Sequence, residues 1–367
     1  MPATTIVSFG GALRLYDDSV QTFDRLPVAT YTIQFSKMTG YSLHETEPLS
    51  PGDEAVYGDH AARVDRIAAG YAAMGRSLGV ILSGDKGMGK SLMIRMLAEK
   101  MREEHELPTV LVQHSTPGLA SFLDELGECL VVFDEFEKVF APVDDDEAPQ
   151  NQFLSLFDGL STTKRLYVLS VNSLHRTSDY MLNRPGRFHY HMRFAYPGPE
   201  TVAEYLRDQV PGIAETEVSA VVEFSRKLDL NFDHLRAIAF ELELGEDFAE
   251  VIGDLNIKRT SRRGHDPVHA VISWPGGDTD EIEGELDLFD PDALQSIESW
   301  RLDLELRLRM RDALPTPDGY ALPAGAFELI DTRTEQERVE AGADSKEPDL
   351  TGTSVLLQRP PKHSIDF

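Results

Sequence analysis

Gly84-Asp-Lys-Gly-Met-Gly-Lys-Ser91 is the stretch that decides how this chain is read. It fits the spacing G-x-x-x-x-G-K-[ST] and stands between an apolar run, Leu78–Ser83, and a helix-periodic stretch, Ser91–Glu104. Strand, glycine-rich loop and helix in that order give the pattern its meaning. Glycines let successive backbone N–H groups turn inward around a polyphosphate, and the helix adds its positive N-terminal end. Lys90 then reaches the β- and γ-phosphates, while the Ser91 hydroxyl suits Mg²⁺. The expected nucleotide-binding residues are Gly84, Asp85, Lys86, Gly87, Met88, Gly89, Lys90, Ser91 and Leu92.

Working outward, a second apolar run, Leu130-Val-Val-Phe133, ends in the acidic pair Asp134-Glu135. In a parallel sheet such a strand end lies beside the phosphate loop. Asp134 there would hold Mg²⁺, with Ser91 as the other metal ligand, and Glu135 would polarise the attacking water. Further apolar runs, Thr109–Gln113, Leu166–Val171 and His191–Phe194, alternate with helical stretches. Short continuous apolar strands between amphipathic helices predict a parallel sheet covered by helices on both faces.

The order of phosphate loop, Asp-Glu strand, polar-tipped strand and Asn183-Arg-Pro-Gly-Arg-Phe188 resembles the AAA+ ATPase family, in its AAA branch. Phe153-Leu-Ser-Leu-Phe-Asp-Gly159 is similar to the segment before that branch's sensor strand, and Leu166–Asn172 places Asn172 as sensor 1. The resemblance implies ATP and Mg²⁺ as cofactors, hydrolysis, and assembly with copies of itself into a ring, expected to be hexameric. It implies that Arg184 and Arg187 reach a neighbouring subunit's γ-phosphate, where a guanidinium neutralises transition-state charge. It places Tyr57 and Gly58 of Val56-Tyr57-Gly58 in the strip against adenine. Phe232-Asp-His-Leu-Arg236 resembles a sensor-2 helix start, so Arg236 is either a lid arginine touching the γ-phosphate or a surface arginine. The likeness runs over about 55–256.

The fold class expected is therefore α/β: a P-loop parallel sheet, a helical lid, and small β-rich flanking domains at both ends. The boundaries read as an N-terminal β-rich segment 1–54, the large nucleotide-binding subdomain 55–198 and the lid 199–256. A C-terminal β-rich domain 257–334 and a mobile acidic tail 335–367 follow. Asp59 is placed to cap the first helix, with Val64, Ile67, Tyr71 and Met74 on its apolar face. Trp300–Met310 alternates apolar and charged residues without a break and predicts one long strand. Where AAA unfoldases carry an aromatic pore loop, this chain reads His114-Ser-Thr-Pro-Gly-Leu-Ala120, with Phe122 expected to face the core. Threading by an aromatic staircase is not implied. Pro142–Pro149 is an acidic connection, either a collar around a ring channel or a solvated loop.

The 367 residues carry a net charge of −28, which repels nucleic-acid backbones and anionic lipid. Lys258–Arg263 is the one compact basic cluster, and a linker accounts for it. No stretch is long and apolar enough to span a bilayer, and no signal peptide is read, so a cytoplasmic location is expected. The single cysteine, Cys129, fits a reducing compartment. Three functions fit this pattern. An ATP-driven remodeller of an unidentified protein client ranks first; a loader or switch linked to DNA replication is the alternative. A module that uses ATP as structural glue ranks last, because it has no need of Glu135, Asn172, Arg184 and Arg187 together.

Overall fold

The computed structural model describes residues 5–9, 12–16, 20–141, 150, 153–157, 163–174, 177, 188–257, 265–316, 318–333 and 352–359. The chain divides into two compact units, Met1–Ala195 and Tyr196–Phe367.

In the first unit a small hairpin, β1 (Thr5–Phe9) and β2 (Ala12–Tyr16), precedes the main sheet. That sheet takes in β3 (Thr30–Ser36), β4 (Gly40–Thr46), β5 (Leu78–Ser83), β6 (Thr109–Val112), β7 (Leu130–Phe133), β8 (Leu166–Val171) and β9 (Tyr190–Arg193). Its order is β4-β3-β6-β7-β8-β5-β9. Every neighbouring pair is parallel except the β3–β4 hairpin. β5, β7 and β8 are buried along their whole length, which is why their sequences are unbroken apolar runs. The chain leaves β5 and crosses β8 and β7 to reach β6, so a switch in strand order opens a crevice at the carboxyl ends.

α1 (His60–Ala73) and α2 (Lys90–His105) pack on each other and over β5, β7 and β8. Val64, Ile67, Ala68 and Tyr71 form the buried stripe of α1, each large side chain contributing about 1.5–3 kcal/mol on burial. Asp59 precedes α1, but its carboxylate makes no cap; it accepts a hydrogen bond from Arg63 at 2.7 Å instead. Among the described residues the unit also has three short helices: α3 (Leu119–Glu125), α4 (Phe136–Val139) and α5 (Leu154–Phe157).

Residues 30–46, read from the sequence as part of a separate N-terminal segment, are built into this sheet through β3 against β6. Tyr41 of β4 donates to the Pro117 carbonyl at 2.8 Å, lies 2.9 Å from the Thr116 hydroxyl, and stacks on Phe122 at 4.5 Å. Phe122 is half-buried beneath that tyrosine and does not enter the core. At the opposite end of the sheet from the crevice, Arg165 is wholly buried just before β8. Its guanidinium donates to the carbonyls of Asp124 (2.7 Å) and Leu126, and pairs with the Asp124 carboxylate at 3.3 Å. The neighbouring Cys129 thiol is buried too, which pushes its pKa up to about 12 and makes it unreactive.

The second unit opens with α6 (Pro199–Gln209), α7 (Glu215–Lys227), α8 (Phe232–Glu243) and α9 (Phe248–Val251). Asn231 caps α8 by accepting from the His234 N–H at 2.8 Å. Two antiparallel sheets follow. One has the order β11-β10-β17-β15-β14, built from β10 (Asp266–Ser273), β11 (Thr279–Leu286), β14 (Leu314–Thr316), β15 (Gly319–Leu322) and β17 (Ser354–Gln358). The other joins β12 (Gln295–Ser299), β13 (Leu304–Leu308) and β16 (Phe327–Asp331). One core holds both sheets, with Ala270, Ile272, Leu306, Leu322 and Leu357 at its centre. The unit ties its helices to its strands: Tyr320 donates to Glu223 at 2.9 Å and Arg359 to Asp229 at 2.7 Å.

Two sequence expectations are corrected here. The alternation Trp300–Met310 is not one strand: Asp303 adopts a left-handed φ of 51°, the chain turns, and the strand takes in Leu304–Leu308. The region expected to be a mobile acidic tail supplies β17, which sits between β10 and β15 with Val355 and Leu357 buried. Its five residues bury two apolar side chains on one face, a signal too short to stand out against acidic surroundings.

Candidate nucleotide site

The loop 84–89 joins β5 to α2, and its glycines have the backbone freedom the turn requires. Gly89 caps α2 at φ 87°, and a Cβ there would lie 2.6 Å from Nε2 of His60. Gly84 has φ 152°, and a Cβ there would meet the Phe194 carbonyl at 2.7 Å. His60 cannot give way easily. Its Nδ1 bonds the Tyr57 carbonyl at 2.8 Å and its ring meets Phe194 edge-on at 5.3 Å. Burial holds its pKa below the ordinary histidine value, so the ring is neutral. The Gly89→Ala variant is therefore expected to bind a fluorescent ATP analogue at least tenfold more weakly, since left-handed alanine alone costs about 1–2 kcal/mol. Affinity equal to the parent's would remove this account of the loop.

Lys90 lies in the first turn of α2 and is buried. Its ammonium donates to the carbonyls of Gly84 (2.6 Å) and Asp85 (2.8 Å) and to Oδ1 of Asn172 (2.9 Å). Burial pulls its pKa below the ordinary lysine value, against the opposing field of Glu137, Asp85, Asp134 and Glu135. Asp85, Lys86 and Ser91 are exposed, Met88 is buried, and Gly87 and Leu92 are half-buried.

The acidic pair follows β7. Phe133, Phe136, Phe140, Phe153 and Phe157 pack ring edge to ring face beneath it, with Phe140 and Phe153 centroids 4.7 Å apart. This aromatic block holds the short α4 to the sheet and leaves the acids at the crevice. Glu135 takes a left-handed conformation (φ 48°, ψ 48°), which costs a non-glycine residue about 1–3 kcal/mol. Ser170 on β8 compensates: its Oγ accepts from the Glu135 N–H at 2.8 Å and donates to Oδ1 of Asp134 at 2.5 Å. The Glu135 carboxylate accepts from Lys138 and from Nδ2 of Asn172 (3.2 Å), with Lys86 3.9 Å away. Lys138 first, with Lys86 and Asn172 adding to it, holds its pKa below the usual carboxylate range.

The structure thus brings together Lys90, Asp134, Glu135 and Asn172 at the ends of three adjacent parallel strands. Tyr57 is buried and Gly58 has φ 74°, both before α1. Arg184 and Arg187 lie outside the described residues, as do Lys258–Arg263 and Pro142–Pro149. Arg236 belongs to the second unit, on α8, exposed and 3.7 Å from Asp233. Sequence reasoning missed His60, Ser170, Phe194 and Glu137. Glu137 is 2% exposed, and its Oε1 accepts from both the backbone N–H (3.0 Å) and the amide Nδ2 (3.1 Å) of Asn172.

As metal ligands, the Ser91 hydroxyl and the Asp134 carboxylate are hard oxygen donors of the kind Mg²⁺ prefers. Among the described residues no group of three or more His, Cys, Asp or Glu side chains forms a separate metal site. No helix among them is long and apolar enough to cross a membrane.

Residues 80–196 match the family model described as ATPase family associated with various cellular activities (AAA). Curated relatives include an ATPase family AAA domain-containing protein of Arabidopsis thaliana, 27% identical over 148 residues. Others are the ATPase with bromodomain protein abo2 of Schizosaccharomyces pombe, 25% identical, and Tat-binding homolog 7 of Caenorhabditis elegans, 27% identical. These matches cover 32–35% of this chain but only 11–12% of the relatives' own length. A solved structure, the HORMA:CdnC:Trip13 complex of E. coli MS115-1, contains a similar chain at 16% identity with a TM-score of 0.42. That likeness covers 53% of this chain and 78% of the other.

Proposed function

We infer that this chain, an AAA+ ATPase through its residues 80–196, binds ATP with Mg²⁺, hydrolyses it to ADP and phosphate in a ring of its own copies, and remodels a protein partner. One observation carries the reading: Lys90, Asn172 and Glu135 are joined in an unbroken line of hydrogen bonds at the mouth of the crevice. A phosphate binder, a polar sensor and a water-polarising acid are thereby within one side chain of each other.

In this reading Lys90 exchanges its loop carbonyls for phosphate oxygens, and Asn172 presents its amide, held in place, to the γ-phosphate or the attacking water. Glu135, ionised at neutral pH, takes up the water's proton as the bond to phosphorus forms. Ser91 and Asp134 would hold Mg²⁺, which would supply positive charge beside the phosphates. Tyr57 and Gly58 line the adenine, and Arg184 and Arg187 supply charge to the neighbouring protomer's site.

A protein client is favoured over nucleic acid by the net charge of −28. The loop that follows β6 is bonded to Tyr41 through Thr116 and Pro117, and has no aromatic residue before Phe122. The loop therefore offers no aromatic residue for threading a client by a staircase.

Phosphate release from the purified chain, with and without Mg²⁺, tests the reading beside sedimentation velocity in ATPγS. Mg²⁺-dependent turnover and a sedimenting ring are expected. Release no faster than from a Lys90→Ala chain would overturn hydrolysis, and a monomer in saturating ATPγS would overturn the ring.

A further inference from the structure

Glu137 stands two residues beyond the acidic pair, in the short α4, and is buried. A carboxylate placed this deep is normally matched by a cation or by several donors. Here both of its donors come from one residue. The backbone N–H and the amide Nδ2 of Asn172 converge on Oε1, while Oε2 is buried with no hydrogen-bond partner among the described residues. As packing alone the arrangement is poor, because an apolar side chain of similar size would avoid an unmatched buried oxygen.

It makes sense as a device for Asn172. An asparagine amide has two orientations of nearly equal intrinsic energy, and its neighbours select between them. With Nδ2 drawn to Glu137, the other end, Oδ1, faces the Lys90 ammonium at 2.9 Å. The second Nδ2 contact, to Glu135, is longer at 3.2 Å and comes from an exposed carboxylate also engaged by Lys138. Glu137 therefore supplies the fixed grip and Glu135 the movable one.

We propose that Glu137 is a positioning residue for hydrolysis: its buried carboxylate fixes the backbone and amide of Asn172, so that Asn172 stays aligned with Lys90 while Glu135 is released to act on water. The inference rests on the ATPase reading above. The Lys90 ammonium also feels this carboxylate more strongly than any other acid near it, consistent with a design centred on the same line of groups.

The experiment is a double-mutant cycle between positions 137 and 172. Glu137→Leu is expected to lower kcat at least tenfold, with KM for ATP within threefold of the parent, whereas Glu137→Gln, whose Oε1 can still accept both N–H groups, should keep kcat within threefold. The melting temperature of Glu137→Leu should be equal or higher, whereas a merely structural residue would lose stability and activity together. Glu137→Asp, one methylene too short to reach both N–H groups, should not restore kcat. In an Asn172→Ala background the Glu137 substitutions should add nothing. Multiplicative losses, or a parental kcat in Glu137→Leu, overturn the proposal; if the leucine variant does not fold, Glu137→Asp carries the same cycle. The cycle is also read on ATPγS affinity by calorimetry. Coupling there without any parental turnover would sink the hydrolysis reading and keep Glu137 in its role, while additivity in both readouts would remove that role.

Discussion

The Glu135→Gln chain should hold ATP as the parent does and turn it over far more slowly. Glutamine keeps the shape of the side chain and can still accept from Lys138 and Asn172, so the loop and the left-handed turn at 135 should persist. It cannot take a proton. A positioned general base contributes about 10²–10⁴-fold, so kcat should fall by about 10²–10³ with the affinity for ATP little changed. Because Lys138 holds the Glu135 carboxylate ionised below the usual range, the acid side of the parent's pH–rate curve should not be set by this group at pH 5 or above. Single-turnover phosphate release with a fluorescent ATP analogue separates binding from chemistry. Parental turnover in Glu135→Gln would assign the water to another residue.

Lys90→Ala should fail one step earlier, at binding. In the folded chain three donors of one ammonium hold the start of the loop and Asn172 together. In the complex the same donors would reach phosphate. Hydrogen bonds to charged groups are worth about 1.5–3 kcal/mol each, so losing two costs ATP about 10²–10⁴ in affinity. Calorimetry with ATPγS at millimolar concentration should show little or no heat. Because Lys90 is buried, circular dichroism must accompany the measurement: a folded chain that binds ATP normally would break the assignment.

What could be read from the sequence follows from what local pattern encodes. The phosphate loop was legible because its glycines answer to backbone geometry and its lysine to charge, both within eight residues. Asp134 and Asn172 were legible as polar ends of apolar strands. Ser170 was not, because a serine inside Leu-Tyr-Val-Leu-Ser-Val looks like any small buried residue until β7 lies beside it. Glu137 was hidden in Phe-Glu-Lys-Val, where an acid reads as solvent-facing; only the aromatic block shows that this face turns inward. Arg165 misleads for the same reason, its charge being matched by carbonyls some forty residues earlier in the chain. The place of β3 was not legible either, since its parallel partner β6 is far away in sequence.

That pairing also orders events during synthesis. The β3–β4 hairpin is local and can close on its own in roughly 1–10 μs. Thr30 finds its place only against Thr109, Tyr31 against Val110 and Thr32 against Leu111. At about 5–20 residues per second, the ribosome takes roughly 3–13 s to travel from the end of β4 to β6. For those seconds Tyr31 and Tyr41 have no sheet to join, and the nascent chain carries a two-stranded ribbon waiting for the rest of its fold.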